Sequence, residues 1–545
     1  MYKKWLFSAL ATSLLAAGIC GCGQSESQES SAAGTDVSEE SQTEAAGTEE
    51  NGEASDLAQT DTASSQTGDY NVTWDDIEDV NVYYCSMGAA STGVQAVADE
   101  INKITEEYNI HVNLTQMDIG SYEQQVSLMM SSSEPVDLLI TLPGGPCSFS
   151  AMTAQGQLMD ITDLMEEYAP RTLEGIGDYM KGTVVNGDIY GVTCYQNFSS
   201  GIYIYMRTDV LEDLGMLEKA QNMTSFTEFE EILEAVKNSD QWGHLSGVGC
   251  KISALQTAYL DADNFADCTY ADGLGDTQFM VAVDPTGEDT TVKLNYETEG
   301  YKKTFERFKS WCEKGYMYED VGISAEMAGE LVKSNVVFAY LVNSNNSPTS
   351  LASASVSCGT DMTAVKIMDM PISTASLTKF TWAVPTNSQA PEAAVTFLEM
   401  MFADSRIANL MTWGIEGVDY EIGEDGVAHY IPGNENPAYH GADYMAVNKF
   451  AVTPWEGSPA NLNEIEEATM AAAPISPYLG FACDTSAVST EIGMVTNIIN
   501  EYDSQVGTGM ADEAIYNEFI EKLKSSGADK IIAEYQAQLN EWLAQ

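Results

Sequence analysis

The chain has 545 residues, with 83 acidic and 23 basic side chains and a formal net charge of −60. Nucleic-acid phosphates and anionic lipid surfaces repel such a chain, so neither is expected as a partner. A hydrophobic share of 44% over this length still supports large cores, and two lobes are expected in preference to one.

The chain begins with Lys3, Lys4 and the apolar run Trp5 to Ala17, an export signal too short for an ordinary membrane span. It ends in Ile19-Cys20-Gly21-Cys22. A small residue before a cysteine, with an aliphatic one three places ahead, is the lipobox pattern. Cys22 fits it, whereas at Cys20 the bulky Ile19 would sit at the cleavage position. An ordinary signal peptide with incidental cysteines is the alternative. A diacylated Cys22 would hold the chain on the outer face of a membrane, anchored and not inserted. Gly23 to about Tyr70 has no Lys or Arg and, apart from Val37 and Leu57, no large apolar residue. It cannot offset its ordering entropy, and a disordered acidic tether of roughly 40 Å r.m.s. span is expected over residues 22–78.

From Asp79 short β-type runs alternate with amphipathic helices, an α/β pattern. Val80 to Tyr84 reads as a strand, Val94 to Tyr108 as a helix, Ile110 to Met117 as a strand and Tyr122 to Ser131 as a helix. Val136 to Ile140 is a continuous apolar strand of the kind a buried parallel sheet requires. It runs into Thr141-Leu142-Pro143-Gly144-Gly145, a strand-end loop of the type that binds ligands in open α/β sheets. Gly187 to Val192 reads as a tight turn into a strand, followed by a strand over Gly201 to Met206. Helices are expected over Phe226 to Val236 and Tyr301 to Cys312, and strands over Val336 to Leu341 and Phe380 to Val384. Pro391 to Met401 is a helix that its proline starts well, and Thr485 to Trp542 reads as helical throughout.

Catalytic constellations are absent from the sequence. Its four histidines, His111, His244, His429 and His440, are scattered, and no GxSxG, P-loop or HExxH occurs. Cys85, Cys147, Cys194, Cys250, Cys268, Cys312, Cys358 and Cys483 show no CxxC spacing, so no zinc or redox site is expected; disulfides and buried thiols both stay open. Asp261-Ala262-Asp263-Asn264, with Asp267 and Asp272, lacks the glycine and the closing glutamate of a calcium loop and reads as an ordinary acidic loop. No metal or cofactor is expected. Aromatics say more. Trp382, Trp413, Trp455, Tyr195 and Tyr340 fall near predicted strand ends or turns. Beside Asn197, Asn343 and Glu416 they would suit a sugar, whose C–H faces stack on rings while its hydroxyls pair with amides and acids. Each is equally able to be core.

Asn186 to Val192 (NGDIYGV) resembles the NGKxYGxP segment of family 1 extracellular solute-binding proteins, the maltose-binding-protein type, with Cys194 departing from the usual proline. Ala383-Val384-Pro385, then Pro391-Glu392-Ala393-Ala394 and Phe397-Leu398, is similar to that family's returning strand and helix. Trp413 to Tyr420 (WGIEGVDY), Phe481 to Val488 and Ala533 to Leu539 resemble its LipO-like lipoprotein branch. The resemblance implies a type II periplasmic-binding-protein-like α/β fold, with two lobes around a ligand cleft and C-terminal helices. Lobe one would hold 79–198 and 383–470, and lobe two 199–382 and 471–545. Cleft residues would be Met87, Gly88, Thr141, Gly144, Tyr195, Asn197, Tyr340, Asn343 and Trp382, joined by Trp413, Glu416 and Asp484. The implied protein is a monomeric, non-catalytic receptor on the extracellular face of a Gram-positive membrane. It would pass an oligosaccharide to the permease subunits of an ABC importer by hinge closure. A receptor for peptides or another polar solute, or a surface glycosidase, is the rival expectation.

Overall fold

The computed structural model describes residues 69–132 and 134–544. The export signal, the Cys22 lipobox and nearly all of the expected tether lie outside the described residues.

The first half of the chain forms β1 (Glu78–Ser86), α1 (Val94–Thr105), β2 (Ile110–Asp118), α2 (Ile119–Ser131), β3 (Leu138–Thr141) and β4 (Val192–Thr193). There follow β5 (Ser200–Arg207), α3 (Phe226–Lys237), β6 (Ser246–Val248), α4 (Glu299–Glu313), β7 (Val337–Asn345), α5 (Pro348–Cys358) and β8 (Met362–Met370). The chain then returns through β9 (Thr381–Ala383), α6 (Pro391–Ala403), α7 (Ser405–Trp413) and α8 (Leu462–Ala472). It ends in α9 (Ser489–Tyr502), α10 (Glu513–Ser525) and α11 (Ala528–Trp542).

The two largest sheets among the described residues have the orders β2-β1-β3-β9-β4 and β8-β5-β7-β6. β1 runs parallel to both β2 and β3, and the returning β9 is antiparallel to β3. The apolar run of β3 is wholly buried, as a strand covered on both faces must be. Each sheet owns a core. One gathers residues from Tyr70 to Cys194 and from Phe380 to Val452; the other gathers Ile202 to Met370 and Tyr478 to Leu539. A small third cluster of Phe198, Ile372, Leu377, Met470 and Leu479 lies where the chain passes between them.

Two placements differ from the expected boundaries. Tyr70 is buried with its ring 4.9 Å from Tyr108, and the Trp74 indole donates to the Asn109 carbonyl at 3.0 Å. These aromatics supply the apolar surface that the acidic stretch lacks, so packed structure begins before Asp79. Trp382 pairs with Ile140 and Val192, which puts it inside the first sheet and not with the preceding segment.

Buried charge is compensated locally. α6 is buried around most of its circumference, and its Glu399 accepts from Arg171 Nε at 2.7 Å and from the Thr172 backbone and hydroxyl at 2.9 and 2.5 Å. All eight cysteines from Cys85 onward are free thiols, five of them buried. Burial pushes Cys85, Cys147, Cys250 and Cys483 up to about 12. Because the thiolate is the reactive form, the folded protein is expected to resist iodoacetamide at pH 8, with these cysteines alkylating only after denaturation. Intact mass spectrometry without reductant reads this directly, and a species two protons short per cysteine pair would refute it.

Candidate functional site

The parallel strands β1 and β3 end on one edge of the first sheet, and the loops there are held open. Ser86 Oγ donates to the Gly88 carbonyl at 2.6 Å, and the Ser91 amide donates to Gln116 Oε1 at 2.7 Å. This leaves Met87 and Gly88 exposed. The turn after β3 closes through Leu142 N to the Cys147 carbonyl at 2.9 Å, with Gly145 at φ 74° and Gly144 facing open space. Thr141 is buried at this end, its hydroxyl donating to the Thr381 carbonyl at 3.3 Å.

Residues 438–450 run past these strand ends. The Gly93 amide donates to the Ala438 carbonyl at 2.9 Å, and the Tyr84 and Tyr439 hydroxyls meet at 3.0 Å. Further on, Cys194 Sγ donates to Met445 O at 2.9 Å, Trp382 Nε1 to Ala446 O at 2.6 Å, and the Lys449 amide to Tyr195 O at 2.8 Å. The approach is close at Gly93, where a Cβ would stand 3.0 Å from the Ala438 backbone, tighter than ordinary contact. With one side tied to the sheet, the segment leaves His440 to Tyr444 half-buried. The Tyr444 ring lies 6.2 Å from Phe380, and Tyr195 packs with Tyr179, Phe198 and Phe450. Burial, helped by Tyr179 and Glu467, pushes the Tyr195 phenol up to about 12, so the ring is neutral.

The passage between the sheets is a hydrogen-bonded crossing. Asn197 accepts from the Ser199 amide and donates to the Asn346 carbonyl, both at 3.0 Å. Ile372 and Ile475 form a parallel bridge beside it. Ser347 Oγ and Lys449 Nζ both donate to Glu466, each at 2.5 Å, which ties the start of α5 to α8. Burial lowers the Lys449 ammonium, but Asp443 and Glu466 outweigh it and hold the group above its ordinary range. On the second sheet, Asn343 near the end of β7 donates to Gln256 Oε1 at 3.1 Å. Gln256 is exposed and sits at φ 58°, ψ −115°, a costly conformation for a side-chain-bearing residue.

The residues expected in a cleft thus fall into two groups. Met87, Gly88, Thr141, Gly144, Tyr195 and Asn197 gather at the first sheet's strand ends and the crossing, and Asn343 stands at the strand end of the second. Tyr340 and Trp382 are buried in the two cores, the first 5.4 Å from Tyr205. Trp413 is buried too, its indole donating to Thr453 O at 2.8 Å and its ring packed on His440 and Trp455. Burial lowers the pKa of His440 in that cluster. Glu416 is exposed on a separate surface pocket of about 300 Å³, lined also by Arg406, Asn409 and Tyr420. Asp484 lies against α11, exchanging backbone bonds with Gln538. Tyr444 and Gln256 were missed in the sequence, where His440 stood only as one of four scattered histidines. In the acidic loop, Asp261 caps Thr269, Asp263 caps Thr227, and Asp272 holds Ser476. No three such groups converge on a metal among the described residues.

A family model described as bacterial extracellular solute-binding protein matches residues 96–416, more than half of the chain. The chain belongs to that family. Its members bind solutes outside the cell and are not enzymes. A domain of unknown function (DUF3502) matches 477–544, the stretch holding two of the three lipoprotein-branch motifs. A carbohydrate ABC transporter substrate-binding protein of Streptococcus pneumoniae serotype 4 is 22% identical over 548 residues, 99% of each chain. The crystal structure of the N-glycan transport solute binding protein NgtS from S. pneumoniae aligns at TM-score 0.70 and 22% identity, over 86% of this chain and 99% of that one. Its complexes with Man1GlcNAc and Man5GlcNAc align over the same 86% at TM-scores 0.62 and 0.58. The fold is the type II, two-lobed one, with the additional C-terminal helices packed on the second core. No helix among the described residues is long and apolar enough to cross a membrane.

Proposed function

We propose that this chain is the extracellular receptor of an ABC importer for an oligosaccharide, held on the membrane through a lipid on Cys22. Lobe one carries the first sheet and lobe two the second, with the divisions near residues 198, 372 and 470. Ligand contacts made to both lobes drive closure about the crossing segments. The observation that carries this reading is the pairing of surfaces at the strand ends. Half-buried rings at Tyr195 and Tyr444, the second backed by the buried Phe380, offer stacking faces, and the Asn343–Gln256 amide pair on the other sheet offers hydroxyl partners. The carbohydrate relatives support the ligand class.

Isothermal titration of the purified protein against oligosaccharides and peptides tests the reading. Binding of a glycan is expected, with Tyr444→Ala and Asn343→Ala each weakening it by roughly 10- to 30-fold at unchanged thermal stability. Binding of peptides alone, or release of a cleaved glycan, would overturn it.

A further inference from the structure

The C-terminal helices α9, α10 and α11 fall within the stretch that matches a domain of unknown function, and they pack Phe519, Ile531, Tyr535 and Leu539 into the second core. The turn that joins α9 to α10 reaches beyond that core. It is wedged in place, with Val506 and Thr508 buried. Two glycines admit it: a Cβ on Gly322 would stand 2.4 Å from the Ser504 carbonyl, and one on Gly509 would stand 2.5 Å from the Lys309 nitrogen. From this seat the turn holds the start of the loop after β6. Asp503 Oδ2 accepts from Lys251 Nζ at 2.5 Å, and the Gly507 carbonyl accepts from the Ile252 amide at 2.7 Å. Both members of the ion pair are only 29% exposed, so water screens it less than a surface pair.

The loop held in this way ends at Gln256. β6 runs parallel to β7, so the loop opens on the same edge of the second sheet as Asn343. Residues Ile252–Leu255 make a single helical turn with both end residues buried, and Gln256 follows, exposed, at φ 58° and ψ −115°. Glycine adopts such a backbone freely. A residue with a Cβ keeps it only where its surroundings over-determine it, and such positions cluster at ligand sites. Three contacts fix Gln256. Its side-chain oxygen accepts from Asn343 Nδ2 at 3.1 Å, the next residue's Thr257 hydroxyl donates to the Ala271 carbonyl at 2.6 Å, and the C-terminal turn grips the loop at Lys251 and Ile252.

We infer that the C-terminal unit is a positioning element of the ligand site, its turn at 503–509 fixing the loop that presents Gln256. This rests on the carbohydrate-receptor reading above, in which the Asn343–Gln256 pair meets the ligand's hydroxyls. The Gln256 amide then arrives already oriented, so its ordering cost falls on folding and not on binding. The buried faces of α9, α10 and α11 serve stability, whereas the Lys251–Asp503 pair lies outside that core and acts on the loop.

The test separates the loop from the core. Asp503→Ala and Lys251→Met break the pair from either side, and Lys530→Ala breaks the Lys530–Glu491 pair, which lies wholly within the C-terminal unit. In ligand-free hydrogen exchange read by mass spectrometry, peptides covering 252–257 are expected to exchange about 3- to 10-fold faster in the first two variants and unchanged in the third. Melting temperatures should stay within about 1 °C of the wild type in all three. In the oligosaccharide titration, with Man5GlcNAc as the first probe, Asp503→Ala and Lys251→Met should each weaken glycan binding about 3- to 10-fold, and the double variant no further than either alone. Unchanged exchange over 252–257 overturns the inference and leaves the carbohydrate reading standing. So does faster exchange at unchanged glycan affinity, and so does faster exchange throughout lobe two with a fall of the melting temperature, which marks a role in stability alone. Binding of peptides, with no oligosaccharide bound, overturns both.

Discussion

Trp382→Ala is expected to destabilise the protein by about 3–5 kcal/mol, while the protein that remains folded keeps its ligand affinity. The residue is fully buried at the centre of the first sheet, in the strand between β3 and β4. Removing the ring leaves a cavity that two flanking strands cannot fill without breaking their own pairing. It also removes the 2.6 Å bond from the indole N–H to the Ala446 carbonyl, one of the ties that hold residues 438–450 along the strand ends. Trp382→Phe separates the two effects. It fills most of the space and loses only the hydrogen bond, about 1–2 kcal/mol. Urea unfolding followed by titration calorimetry reads both quantities. A Trp382→Ala protein of unchanged stability and weakened affinity would show that the ring faces the ligand after all.

That tryptophan also marks where reading a sequence for function reaches its limit. The strand was legible: Phe380 to Val384 is a short apolar run before Pro385, and the strand covers Thr381–Ala383. Which way a side chain points from a three-residue strand is not, because a period of two needs a longer run to define its faces. Tyr340 shows the same ambiguity. It lies mid-strand in β7, where aromatic and aliphatic residues succeed one another on both faces, and it turns into the core. The long amphipathic helices were legible because a 3.6-residue period repeats several times within them. α3 covers Phe226–Lys237 and α4 Glu299–Glu313, within a few residues of expectation. α5 was not legible. Its serines and alanines carry little contrast between faces, and it exists because Ser347 caps it, Pro348 starts it and Gly359 ends it.

The site was legible only where local chemistry marked it. Gly144 and Gly145 announced a strand-end loop, and Asn343 lay where an apolar strand turned polar. Tyr444 carried no such mark. It acquires its position from contacts between segments far apart in the chain, its own with Phe380 and that of the next residue, Met445, with Cys194. Nothing in either segment's own pattern encodes that pairing. His440 was visible as an isolated histidine. Its packing among Trp413, Tyr430 and Trp455 depends on the fold of the whole stretch from Trp413 to Trp455.

Glu466→Ala is expected to cost about 3–5 kcal/mol as well, by a different route. Glu466 is 1% exposed and accepts at 2.5 Å from both Ser347 and Lys449. Its removal leaves the Lys449 ammonium largely desolvated, with only Asp443 at 3.6 Å as a counter-charge. Most of the loss is therefore the cost of an orphaned cation, not of a missing bond. A Lys449→Met background should remove that cost, so Glu466→Ala added to Lys449→Met should destabilise by at least about 2 kcal/mol less than it does alone. Ser347→Ala isolates the other half of the arrangement. It cuts the tie from α5 to α8 and removes the cap accepted from the Thr349 amide, at about 1 kcal/mol in stability. If that tie restrains the lobes, Ser347→Ala should also broaden the distribution of lobe separations in small-angle scattering without ligand. Additive losses for Glu466→Ala and Lys449→Met would show that the two residues are not coupled. An unchanged scattering profile in Ser347→Ala would leave the crossing segments alone to set the lobe angle.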